Sequence, residues 1–184
     1  MKTLLKSYFF LAAALMGLSS CATFNVSYLK SSDLQTKMTK PFILVKDSLS
    51  PVQYGNSGGD PNIFMNSLSQ SISNCLSQNK INNTLKIVSS VYTLESSQDL
   101  TLQIENYAPD VIMNVKREQS TLVAGINYSS YNGGIYSITL TMPGTHKPFW
   151  KAVIQSSDET YAQVSDYETL AKQVVDKMKA DGIL

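Results

Sequence analysis

The sequence predicts an α+β domain, a mixed β-sheet with helices packed mainly on one face, in the order β-α-β-α-β-β-β-β-α. Three observations carry this. Between residues 60 and 108 two segments repeat apolar residues at helical spacing, each after a short β-like run. From Val111 to Ile154 apolar and polar residues alternate strand after strand, and an amphipathic helix closes the chain. Helices among the early strands and a meander afterwards define the class. At 184 residues there is room for one domain with its own core.

In order along the chain, Phe42 to Val45 is a short apolar run suited to a buried strand. The 55–60 stretch, Gly-Asn-Ser-Gly-Gly-Asp, is a loop, and Asp60-Pro61 starts a helix with aspartate as N-cap and proline in the first turn. That helix continues to about Asn79 on a face of Phe64, Leu68, Ile72, Cys75 and Leu76. Leu85 to Tyr92 reads as a strand. Leu100, Ile104, Tyr107 and Ala108 fit a helix that Pro109 ends, although Leu100, Leu102 and Ile104 also alternate like a strand. Val111, Met113 and Val115 form the next strand, Leu122 to Tyr128 another, and Asn132-Gly133-Gly134 a turn. Tyr136, Ile138, Leu140 and Met142 alternate, as do Trp150, Ala152 and Ile154; Phe149-Trp150 is core or core-edge. In the last helix Ser165 and Glu168 are spaced as a capping box. Its buried face is Tyr167, Leu170, Ala171, Val174, Val175 and Met178, and Gly182 follows its end.

Residues 1–20 read as an export signal. Lys2 and Lys6 precede an apolar stretch, Tyr8 to Leu18, too short at 1.5 Å per residue to cross about 30 Å of hydrocarbon. Leu18-Ser19-Ser20-Cys21 follows and looks like the lipobox of bacterial lipoproteins. That resemblance implies cleavage before Cys21, lipid on its thiol and acylation of the new terminus; several chains make attachment durable where one is marginal. Ordinary cleavage after Ala14 would instead leave Leu15 to Leu18 exposed on the product. The partner implied is the lipid bilayer, reached through acylated Cys21. By resemblance to Gram-negative lipoproteins, Ala22 rather than aspartate after the cysteine implies the outer membrane, on either its periplasmic or its surface face. Residues 21–40 read as the lipidated terminus and a flexible tether, with Val26, Tyr28 and Leu29 able to pair as an edge strand instead. Residues 41–184 are then the single domain.

Composition excludes some functions. The formal charge of +1 includes Lys2 and Lys6, so the mature chain is near −1, and Arg117 is the sole arginine. No basic stripe exists to displace counterions, so no nucleic-acid partner is expected. The 55–60 loop comes near the Gly-Asp-Ser-Gly-Gly motif of chymotrypsin-like proteases. The only histidine, His146, lies downstream of it, the reverse of that family's order. A phosphate cradle fails because the Gly-Lys-Ser/Thr ending is missing and Asp60 would repel an anion. One histidine and one cysteine besides Cys21 make no soft-metal set, so no metal or cofactor is expected. Cys75 reads as a buried structural thiol. Asp99 with Glu105, and Asp158 with Glu159, could pair for hydrolysis but read as solvated helix-end charges. Tyr128, Tyr131 and Tyr136, beside Ser129, Ser130 and Asn132, form a candidate interaction surface for protein or glycan.

The lipobox, the Ala108-Pro109-Asp110-Val111-Ile112-Met113 strand entry, Lys147-Pro148-Phe149-Trp150-Lys151-Ala152 and the final helix together resemble the small α+β lipoproteins of bacterial envelopes. Similar architectures are the lipopolysaccharide-assembly lipoprotein, the curli-secretion lipoprotein and the N-terminal domain of the Tol-system translocation protein. Only Cys21 carries over as a functional residue. The secretion lipoprotein's transmembrane hairpins have no counterpart, so pore formation is not implied. The resemblance implies a non-enzymatic envelope lipoprotein that binds another envelope protein in assembly or support. The alternative is a surface-exposed module for glycan or host protein, motivated by the tyrosines.

Overall fold

A computed structural model describes residues 24–31, 36–47, 62–89, 96–124, 129–145, 147–157, 159 and 162–184. Cys21, the 55–60 loop, Tyr128, His146 and Asp158 lie outside these, as does the side chain of Tyr131. The elements are β1 (Phe24–Lys30), β2 (Pro41–Asp47), α1 (Asn62–Gln78), β3 (Thr84–Ser89), α2 (Ser97–Tyr107), β4 (Val111–Ala124), β5 (Ser129–Thr141), β6 (Trp150–Ser156) and α3 (Val164–Ala180).

The six strands form one mixed sheet in the order β1-β6-β5-β4-β2-β3. β2 runs parallel to both β3 and β4, and the other pairs are antiparallel. This follows from connection length: α1 and α2 each fill a crossover that a parallel pairing requires, whereas β4, β5 and β6 follow one another closely and form a meander. The predicted α+β mixed sheet is therefore the observed one.

One sheet face carries the core. Ile43, Val45, Val111, Met113, Val115, Ile138, Leu140, Ala152 and Ile154 pack there under α1 and α3. α1 contributes Phe64, Leu68, Ile72 and Leu76, and all six predicted α3 residues are buried. α2 sits on the opposite face at the β2 end, where Tyr107 meets Phe42 edge-on at 5.7 Å. Its start is a full capping box, with Ser96 and Asp99 satisfying each other's backbone N–H groups, and Ala108 closes it in the left-handed region at φ 49°. Asp110 then accepts from the backbone of Thr39 and Lys40, tying the starts of β2 and β4 together.

Four local expectations are corrected. First, Phe24–Lys30, inside the expected tether, is strand β1, so the edge-strand alternative for Val26, Tyr28 and Leu29 is the one observed; it pairs along its whole length with β6, and Phe24, Val26 and Tyr28 alternate onto the core. Second, the strands expected at 111–115 and from Leu122 are one strand, β4, ending at Ala124. Third, Asn132-Gly133-Gly134 lies within β5 and is not a turn. The register shifts between Arg117 and Gln119 and again between Thr121 and Leu122, and such bulges reset the period-two alternation that marks a strand in sequence. Fourth, α3 starts two residues early, with Gln163 and Asp166 forming the box instead of Ser165 and Glu168.

Gly133 shows why the glycines are there. At φ +149° a Cβ would come within 2.3 Å of the Ser156 carbonyl oxygen on β6. Gly133→Ala is expected to destabilise the fold by about 1–3 kcal/mol, read as a lower urea midpoint. Gly144→Ala, at φ +76° but with nothing within 4 Å, has strain and no clash and should cost less.

The titratable groups set both pH limits. Burial works against the Asp181 carboxylate, but Lys177 at 2.6 Å and the Trp150 indole at 2.9 Å overcome it and hold its pKa below the usual range. Stability from such a group is complete above the unfolded value of about 4 and is lost as pH falls through the lower folded value. Tyr28, Tyr136 and Tyr167 are all shifted up, by burial first. Their contribution is complete below about pH 10 and is lost above it. Urea midpoints should be flat from roughly pH 5 to 9 and fall on both sides. A midpoint still constant at the acid end would contradict the Asp181 assignment.

Candidate functional site

The described residues offer three places where polar side chains converge. The first is inside the fold. Arg117 is 5% exposed and occupies the core-facing position that follows Val111, Met113 and Val115. Its Nη2 donates to the Tyr136 hydroxyl at 2.9 Å, and that hydroxyl donates in turn to Glu159. Arg117 and Glu159 stand 4.0 Å apart. Phe64 stacks on the Tyr136 ring at 4.1 Å and seals the group from above. Burial, then the Glu159 charge, pushes the Tyr136 phenol well up, so it stays a neutral donor. Arg117, Tyr136 and Glu159 thus form a buried polar triad.

Two predictions change here. Glu159 is not a solvated helix-end charge, because its side chain is only 13% exposed and faces Arg117. Tyr136, expected on an interaction surface, is wholly buried. The hydrophobic ring and the need to satisfy both Arg117 and Glu159 draw it inward. Of the three tyrosines proposed for that surface, Tyr136 is thus withdrawn, while Tyr128 and the Tyr131 side chain lie outside the described residues. Asp99 is a helix-end charge as expected, engaged with Ser96.

The second place lies between the outer surfaces of α1 and α3. Cys75 lines an open groove of about 520 Å³ there with Asn74, Lys172, Asp176 and Lys179. The thiol is half-buried rather than buried as expected, because position 75 falls at the edge of the apolar stripe centred on Leu68 and Ile72. Burial pushes its pKa up, with Lys179 opposing, so it is a weak nucleophile at neutral pH. Asp176 is engaged by Lys172 and Lys179.

The third is the sheet face away from α1 and α3. α2 reaches it only at the β2 end, leaving β4, β5, β6 and β1 to present alternate side chains. Pairing places Asn114, Thr139, Lys151 and Leu29 in one row across four strands, and Lys116, Ser137, Val153 and Ser27 in the next-but-one. Lys46, opposite Lys116 on β2, completes an open concavity of about 450 Å³ with Thr141, Thr145 and Pro148. Glu118 stands at its end, accepting from Ser137 at 2.7 Å with Lys116 at 2.9 Å and Lys151 at 3.8 Å. Burial opposes the charged form of Glu118, but Ser137 and the lysines prevail and hold its pKa below the usual range. A carboxylate so engaged stays ionised at neutral pH and is no proton donor. The face can offer hydroxyls, an amide and ammonium groups to a polar partner.

Among the described residues no group of three His, Cys, Asp or Glu side chains is placed to hold a metal ion. No helix among them is long and apolar enough to cross a membrane.

Among the described residues the chain is thus a mixed six-stranded sheet backed by two helices on one face, with polar side chains of β4, β5 and β6 on the other. No family model matches it, and no curated protein matches it. Among solved structures it is similar to the PelC dodecamer from Paraburkholderia phytofirmans, at 12% identity and TM-score 0.48, covering 83% of this chain and 95% of that one. It is also similar to the lipoprotein GNA1162 from Neisseria meningitidis, at 10% identity and TM-score 0.43, covering 77% and 99%.

Proposed function

We propose that the chain is a non-enzymatic lipoprotein of the bacterial envelope, anchored to the outer membrane by acyl groups on Cys21. It binds another envelope protein, in assembly or support, through the open polar face of its sheet. The observation that carries the reading is Leu18-Ser19-Ser20-Cys21 after a basic and apolar leader, with the first strand beginning at Phe24. A lipid group at that point leaves the folded domain beside a bilayer and the polar face free to meet a neighbour. What supports binding through this face is the ionised Glu118, held by Ser137, Lys116 and Lys151 among hydroxyl, amide and ammonium groups that suit a polar partner.

A photo-crosslinking side chain at Asn114 or Thr139, in living cells, tests this. The expected result is one dominant adduct with an envelope protein, and none from the same group at Ile63, an exposed residue of α1. Equal or absent labelling at all three positions would contradict the assignment of the face.

A further inference from the structure

We infer that the open concavity on the polar sheet face is a cradle for an acidic protein segment, whose Asp and Glu side chains meet Lys46, Lys116 and Lys151. The inference rests on the reading above, that this face binds another envelope protein, and adds the chemistry by which the partner is held.

The charges come first. Three of the side chains around the concavity are lysines, and Glu118 is the one carboxylate among them. The mature chain as a whole is near −1, so this local excess of positive charge does not follow from composition. Glu118 engages two of the three, Lys116 at 2.9 Å and Lys151 at 3.8 Å. Lys46 is exposed and has no acidic partner among the described residues.

Register sharpens the imbalance. Lys46 and Lys116 are direct partners on the parallel strands β2 and β4, so their backbones stand about 4.8 Å apart and both side chains line the same concavity. Like charges directly opposite on neighbouring strands repel, at a cost to the fold. Local costs of this kind concentrate at functional sites. A carboxylate set between the two ammonium groups turns the repulsion into attraction.

Glu118 shows what this surface accepts. Its carboxylate takes a hydrogen bond from the Ser137 hydroxyl at 2.7 Å together with the two ammonium groups. A partner's carboxylate meets the same donor chemistry at Lys46. Asn114 and Thr139, on the strands between those of Lys46 and Lys151, can bond its main chain. The shape favours a polypeptide over a lipid surface. Thr145 and Pro148 stand exposed at the rim, while Asn114 and Thr139 are half-buried and Thr141 is buried. A planar headgroup layer would rest on the rim, whereas a polypeptide can send single side chains to the floor.

The test uses the full-length lipoprotein in living cells, with the photo-crosslinking side chain at Thr139. Lys46→Gln with Lys116→Gln should reduce the protein adduct about tenfold, as expected for the loss of two partly exposed ion pairs. Lys46→Arg with Lys116→Arg should keep most of it. Lys179→Gln, the same charge change on α3, should leave it unchanged. Mass spectrometry should map the crosslink to a segment rich in Asp and Glu. The urea midpoint of the double glutamine variant should be no lower than native, since a repulsion has been removed. A midpoint that falls together with the adduct assigns the two lysines to the fold and overturns the inference. An undiminished adduct in the glutamine variant, or one mapped to a segment without acidic residues, overturns it while leaving the binding face intact. A crosslink to phospholipid or lipopolysaccharide in place of protein, or no adduct with the native lysines present, removes the reading and the inference together.

Discussion

Arg117→Ala is expected to destabilise the protein by about 3–5 kcal/mol, because it strands the Glu159 carboxylate and the Tyr136 hydroxyl beneath Phe64. The urea midpoint at pH 7 should fall by a large fraction of its native value, since whole domains of this size are stable by only about 5–15 kcal/mol. The double variant Arg117→Met with Glu159→Gln separates the two sources of that loss. It keeps the volume and removes both charges, so most of the stability should return. If Arg117→Ala unfolds no earlier than native protein, the triad contributes nothing and the reading of it as a structural post is wrong. Tyr136→Phe should fall between, at about 1–3 kcal/mol, since the ring still stacks on Phe64 while two buried partners lose their hydroxyl.

Trp150→Ala is the second large effect, at about 3–5 kcal/mol. The indole is 1% exposed, meets Tyr28 at 5.8 Å, and donates to Asp181 at the end of α3. Truncation opens a cavity at the junction of β1, β6 and α3 and removes one of the donors that hold Asp181 ionised. Far-UV circular dichroism must follow the transition, because the chain has no other tryptophan. Trp150→Phe keeps most of the volume and loses only the N–H, so about 1–2 kcal/mol is expected. Its acid limb should begin at a higher pH than in native protein, because Asp181 then keeps only Lys177 and Lys30 beside it. Equal losses for the alanine and phenylalanine variants would show that the hydrogen bond, not packing, matters at this position.

What was legible in the sequence follows from period and parity. The α3 face could be read residue by residue, because a regular helix with no interruption turns sequence spacing directly into geometry. The strand cores Val111–Val115 and Tyr136–Leu140 were legible for the same reason. Arg117 continues that parity by two residues, so its burial was signalled, but a lone arginine is ordinarily read as exposed. Its partner Glu159 sits in a connection, where no periodicity marks a buried side chain. The bulges at Glu118 and Asn132 broke alternation and made the two strands β4 and β5 look like three strands, with a turn at Asn132-Gly133-Gly134. β1 alternates Phe24, Val26 and Tyr28 against Asn25 and Ser27, yet it is short and polar enough to pass for a tether. The open face could not be seen at all before pairing, because Asn114, Thr139, Lys151 and Lys46 come from four strands and meet only through register.

Everything proposed about location depends on the chemistry at one cysteine. Intact-mass and fragment analysis of the N-terminal peptide, from protein extracted from membranes, addresses it directly. The account predicts that the mature chain begins at Cys21 and carries the mass of a diacylglyceryl thioether, with a further acyl chain on its amine. A mature terminus at any other residue, or an unmodified Cys21 thiol, would contradict it.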